Sequence, residues 1–96
     1  MIKKAILHGP DNGAYIDSLG WVYYKKGMYQ EALEYLKRAD ETFKDPVIYD
    51  HIGDVHYKLN QIDDAIKYWN LSLELLPDQE KIIQKINEIK SIQASR

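Results

Sequence analysis

Residues 17–41 read DSLGWVYYKKGMYQEALEYLKRADE, and residues 50–74 read DHIGDVHYKLNQIDDAIKYWNLSLE. Laid one on the other at an offset of 33 residues, they place Asp17 on Asp50, Gly20 on Gly53, Val22 on Val55, Tyr24 on Tyr57 and Lys25 on Lys58. Ala32 then falls on Ala65, Tyr35 on Tyr68 and Glu41 on Glu74. Leu19 with Ile52, Leu33 with Ile66, Leu36 with Trp69 and Ala39 with Ser72 are conservative pairs. A unit of this length, repeated in register, is the mark of a stacked helical array. Each unit lacks a complete core of its own and buries its apolar face on a neighbour.

Each unit reads as two helices. Ile16, Leu19, Gly20 and Tyr23 recur at i, i+3, i+4 and i+7, one face of a 3.6-residue period. Gly27 breaks that pattern, and Asn60 stands at the matching place in the second unit. Glycine and asparagine are the residues that most readily take the left-handed conformation that ends a helix. The second helix of the first unit carries Ala32, Leu33, Leu36, Ala39 and Phe43, and its twin carries Ala65, Ile66, Trp69, Ser72 and Leu73. Asp63 and Asp64 fall in the first turn of that twin, where the helix dipole favours acids. Asp45-Pro46 reads as an N-cap followed by proline at the first helical position, and Pro77-Asp78 as a stop followed by a fresh cap. The small residues predict close helix approach, with Gly20 set against Ala32 and Gly53 against Ala65. A bulky residue at Gly20 or Ala65 is expected to cost roughly 1–3 kcal/mol through overpacking.

The rest of the composition narrows the function. Ninety-six residues make one small domain, and 45% hydrophobic residues argue against disorder. The absence of cysteine excludes a disulfide scaffold, a thiolate metal site and a cysteine nucleophile. Thirteen basic residues against 15 acidic ones leave a net charge of −2, with no electrostatic drive toward nucleic acid. No apolar run is long enough for membrane insertion, and the apolar stretch within MIKKAILHGP is too short for a signal peptide. There is no glycine-rich phosphate loop and no serine, histidine and acid in a nucleophile context. Asp50, His51 and Asp54 cluster, but neither their spacing nor their ligand softness selects a metal. Asn70-Leu71-Ser72 fits a glycosylation acceptor by pattern only, since it lies inside a helix with Ser72 toward the core. The expectation is a non-catalytic protein with no cofactor and no metal. Its eight tyrosines and two tryptophans are then either core or contact surface.

The two units resemble the tetratricopeptide repeat, whose pattern is W-x2-L-G-x2-Y…A-x3-F…A-x4-P on a 34-residue period. The first matches with Leu19, Gly20, Tyr23, Ala32, Leu36 and Ala39, and has Ile16 in place of the tryptophan. The second matches with Ile52, Gly53, Ala65, Trp69 and Pro77, while His56 and Ser72 depart from the pattern. The 33-residue offset implies one residue lost in the Asp40–Pro46 connection. The wording looks most like bacterial members of the family. The resemblance implies an all-α, right-handed α-α superhelix forming a single domain over residues 1–96. Within it, residues 13–45 and 46–78 are the two repeats. Residues 2–10 read as the tail of a preceding repeat helix, because Ala5 and Pro10 share the spacing of Ser72 and Pro77. Residues 79–95 read as a capping helix with Ile82, Ile83, Ile86 and Ile89 on its apolar side. The chain is accordingly expected to be a piece of a longer array.

In this family the first helices of successive repeats line a concave groove that binds a peptide or protein segment. Positions about 130° from the core stripe point into it. In the first repeat these are Ala14, Asp17, Trp21 and Tyr24 with Lys25 beside them, and in the second Val47, Asp50, Asp54 and Tyr57 with Lys58 beside them. His51 lies at the groove margin. The predicted surface is an acidic and aromatic strip. Nothing in the core pattern calls for tryptophan at position 21, so Trp21 is either a binding anchor or a packing residue against a neighbouring helix or a preceding repeat. Asp17, Asp50 and Asp54 are either partner contacts, or solvated charge or helix caps. Family members that grip the acidic tails of chaperones carry lysine and asparagine on these faces, and here the acids stand instead. Charge complementarity points to a basic or aromatic protein segment, held with ~micromolar affinity. The alternative is structural self-association as a homo-oligomer through an apolar edge that includes Ile2, Ala5 and Ile6.

Overall fold

The computed structural model describes residues 13–42 and 44–94. They form five helices: α1 (Gly13–Lys25), α2 (Tyr29–Thr42), α3 (Pro46–Lys58), α4 (Ile62–Leu75) and α5 (Glu80–Ala94). No strand occurs among the described residues. The expectation for residues 2–10, and the placement of Phe43, lie outside them.

Local chemistry sets each boundary. Gly27 and Asn60 both take positive φ, +80° and +63°. At the first turn Gly27 N–H donates to Tyr24 O and Met28 N–H to Tyr23 O. At the second, Asn60 N–H donates to Tyr57 O and Gln61 N–H to His56 O. These are the two crossed bonds of a Schellman turn, made twice in the same register. Such a turn often adds an apolar contact between its first and sixth residues. In the second copy that slot holds a hydrogen bond instead, between His56 Nδ1 and Gln61 Oε1 at 2.7 Å. The departure at position 56 is thus explained: the buried imidazole ties down the turn and stacks on Tyr68. At the start of α3, Asp45 is extended and accepts from Val47 N–H at 2.8 Å, with Pro46 at the first helical position.

The sequence places a fresh cap at Asp78, but α5 begins at Glu80 and the preceding position belongs to Gln79. The reason is that α4 ends without a left-handed residue, leaving carbonyls in need of donors. Gln79 Nε2 supplies them, donating to Ser72 O and Leu76 O at 3.1 and 2.7 Å. Ser72 departs from alanine for a related purpose, since its buried hydroxyl donates to Pro46 O at 2.7 Å and fastens α4 to the start of α3.

Helices α1 with α2, and α3 with α4, pack as hairpins, α2 lies on α3, and α5 closes on α4. The first core gathers Ile16, Leu36, Ala39, Ile48, Ile52 and Val55. The second gathers Ala65, Trp69, Ile82, Ile86 and Ile89. The close approaches differ from expectation in one respect. A Cβ at Gly20 would meet Leu36 Cγ at 2.7 Å, with Ala32 O further off at 3.2 Å, and a Cβ at Gly53 would run into the Trp69 ring. The glycines therefore make room for the large residue one turn beyond the alanine, not for the alanine itself. Ile83, assigned above to the apolar side of the last helix, is exposed.

Candidate functional site

Helices α1, α3 and α5 share one face, because polar side chains link each to the next. His51 Nδ1–H on α3 donates to Asp17 Oδ1 on α1 at 3.0 Å. Lys85 Nζ on α5 donates to Asp50 Oδ1 and Asp54 Oδ1 on α3, at 3.0 and 2.9 Å. The predicted site residues are brought together on this layer: Asp17, Trp21, Tyr24 and Lys25 from α1, and Asp50, His51, Asp54, Tyr57 and Lys58 from α3. Val47 is exposed at the start of α3.

Their condition differs from the sequence-based picture in two ways. Trp21 is half-buried and belongs to an aromatic stack. Its ring lies 4.5 Å from that of Tyr24 and 4.0 Å from that of His51, with interplanar angles of 12° and 20°. Lys25 Nζ sits 5.4 Å from its centroid, within cation–π range. Trp21 thus fills the space between α1 and α3 while keeping part of its surface open. Secondly, the acids are not a free negative strip. Asp17 is engaged by His51, while Asp50 and Asp54 share Lys85. Tyr57 is the most accessible aromatic here, 44% exposed and tilted against Trp69 at 6.1 Å.

Lys85 is the member of this face that the sequence reading missed, and a signal for it exists. The buried residues Ile48, Ile52 and Val55 of α3 recur 34 positions on as Ile82, Ile86 and Ile89 of α5. That offset puts Lys85 in the place of His51. The same device therefore operates twice: a base on one helix receives the acids of the helix before it.

Burial pushes the Asp54 carboxyl above its ordinary value of 3.8. The hydrogen bond from Lys85 opposes that push, and the Asp50 charge adds to it. For Lys85, burial favours the neutral amine, but the hydrogen bonds to Asp54 and Asp50 outweigh it and hold the ammonium above the ordinary lysine range. One ammonium thus serves two carboxylates. Because its folded pKa is raised, the stability Lys85 contributes is complete below 10.5 and is lost as pH rises through the folded value. Asp54 runs the same way with pH, though as a penalty: folding disfavours its charged form, and the cost is relieved as pH falls through its raised pKa. Replacing Lys85 by methionine leaves both carboxylates without their donor. The expected loss is about 1 kcal/mol at neutral pH, small because the lysine is partly solvated and screened. The deficit should shrink near pH 4, as Asp54, raised above 3.8, takes up its proton. Urea unfolding of the variant at both pH values checks this, and an equal loss at both would refute it.

Two sequence profiles described as tetratricopeptide repeat match residues 14–39 and 47–79. A TPR repeat-containing protein of Methanocaldococcus jannaschii is 30% identical over 74 residues, covering 77% of this chain and 13% of that protein. One of Pseudomonas aeruginosa is 35% identical over 54 residues, 56% of this chain and 9% of that protein. The chain spans only a small part of the length of these relatives. The N-terminal domain of stress-induced protein-1 from C. elegans superposes with a TM-score of 0.76, covering 92% of this chain and 75% of that one. At 23% sequence identity, that likeness speaks for the fold alone.

Proposed function

Because the chain belongs to the tetratricopeptide-repeat family, whose repeats are generally protein-interaction modules, we propose that it is a non-catalytic binding module. It holds a segment of another protein against the α1–α3–α5 face and forms part of a longer multi-repeat protein. The observation that carries this reading is the arrangement of Trp21, Tyr24 and Tyr57 on one face whose helices are tied together by Asp17–His51 and by Lys85 with Asp50 and Asp54. Partly exposed aromatics held in fixed positions are good anchors, since little side-chain entropy is lost when a partner docks. Helix α5 acts as the cap. At the 34-residue offset Asn87 replaces Gly53 and Lys90 replaces His56, so it lacks the vacancy that receives a close-packed partner helix.

The test is photo-crosslinking from a benzophenone side chain placed at Tyr57, compared with one at Lys37 on the exposed side of α2. Partner adducts should form from position 57 and not from position 37. The double variant Trp21→Ala, Tyr57→Ala should weaken partner capture by roughly tenfold or more. Tyr57→Ala alone, at an exposed site, should reduce capture while leaving the helical signal and melting temperature in place. Adducts formed from position 37 alone, or capture indifferent to both aromatics, would overturn the reading.

A further inference from the structure

The gap between α1 and α3 and the gap between α3 and α5 are built alike but filled differently. Across the first, Trp21 of α1 stacks on His51 of α3, with Lys25 over the indole. At the 33-residue offset Tyr24 corresponds to Tyr57 and Lys25 to Lys58, but Trp21 corresponds to Asp54. The second gap therefore has the tyrosine and the lysine but nothing in the place of Trp21; the indole of Trp69, from α4, lines its inner wall, with Lys85 over it. Lys85 bridges its inner end to Asp50 and Asp54. Beyond that bridge α3 and α5 do not close on each other. Two connected hollows of about 320 and 460 Å³ lie there, sharing Tyr57, Lys58, Ile89 and Ile92 as walls. Their size is within the ~300–1,000 Å³ typical of ligand-binding pockets. On α5, Lys85, Glu88 and Ile92 follow at i, i+3 and i+7 on the flank that faces the cleft. Ile92 is 55% exposed although Ile89, one turn earlier, is buried.

We infer that this cleft receives a tryptophan side chain from a protein partner, which does between α3 and α5 what Trp21 does between α1 and α3. This rests on the binding-face reading above and names the chemistry of the partner. The ring lies against Tyr57 and Ile92 with Lys58 over it, as Lys25 lies over Trp21. The indole N–H is a donor for the two acids on the cleft wall, Glu88 and Asp54, the latter sharing one ammonium with Asp50. The upward displacement of the Asp54 pKa, caused first by burial, agrees with a carboxyl poorly solvated at the inner end of the cleft. An acidic side chain would add to that excess of negative charge, and an aliphatic one would leave the acceptors unserved.

The probe is N-acetyl-tryptophanamide, titrated into the isotopically labelled 96-residue chain and followed by NMR, with N-acetyl-leucinamide and the 1-methyl-indole analogue as comparisons. Saturable shifts are expected at Tyr57, Glu88, Ile92 and the Trp69 indole N–H. The methylated analogue should bind several-fold more weakly and leucinamide more weakly still. Ile92→Glu, at an exposed position, should weaken the tryptophan probe by roughly tenfold without changing the helical signal. Absence of saturable shifts in the cleft, leucinamide binding as tightly as the tryptophan probe, or indifference to Ile92→Glu would overturn the inference. If the probe fails while partner capture still depends on Trp21 and Tyr57, the cleft assignment is wrong and the binding face stands. If the probe binds but capture ignores those aromatics, the binding-face reading is the one that fails.

Discussion

Gly53→Ala is expected to lower the unfolding free energy by about 2–3 kcal/mol. The added methyl would overlap Cδ1 and Nε1 of Trp69, and the indole is a rigid, buried plane. It cannot turn away without leaving its pocket. Alanine's better helix propensity returns only about 1 kcal/mol, which is why the net effect remains a loss. Gly20→Ala should cost less, because its Cβ meets Leu36 at 2.7 Å and a branched aliphatic chain shifts its terminal methyls more easily than a fused ring shifts. Urea unfolding followed by circular dichroism distinguishes the two. An unchanged midpoint for Gly53→Ala would mean that Trp69 is not seated against α3, and the packing described for the second hairpin would be wrong.

Trp69→Ala should cost more, about 3–5 kcal/mol, from lost apolar burial together with the cavity left behind. A domain of this size is stabilised by only about 5–15 kcal/mol, so the variant sits near its folding threshold. The effect is large because one side chain joins three helices. It fills the vacancy over Gly53 on α3, belongs to α4, and forms a common cluster with Ile82, Ile86 and Ile89 of α5. Hydrogen exchange should show α5 losing protection first, while α1 and α2, built on Ile16, Leu36 and Ala39, retain theirs longer. Protection lost equally in all five helices would contradict this division into two cores. The double variant Gly53→Ala, Trp69→Ala is expected to be less damaging than the sum of its parts, because the overlap disappears with the ring.

Position 69 also shows how far the sequence reaches. The pairing of Leu36 with Trp69, like that of Gly20 with Gly53, is legible in the 33-residue register, and so is the expectation that the glycines mark close approach. Which residue occupies the vacancy is not legible. Two helices crossing at a slight angle bring a glycine opposite a residue one turn away from the one that simple facing suggests, and the crossing angle comes from the packed side chains together. The face of the molecule shows the same division. The alignment of Asp17, Trp21 and Tyr24 with Asp50, Asp54 and Tyr57 follows from helical periodicity. That the acids are engaged by His51 and Lys85, and that Trp21 lies in a stack, depends on contacts between residues 30–35 apart in the chain, on separate helices.

The sequence by itself determined the paired helices of the two repeats, the turns within them and their repetition, because helix periodicity, the left-handed caps at Gly27 and Asn60 and the proline at Pro46 act within a few residues of one another. Only the tertiary structure decided which charges remain available on the shared face and where a cleft stays open beside α5. Those outcomes depend on distances of a few ångströms between side chains on separate helices, and local propensity carries no information about them.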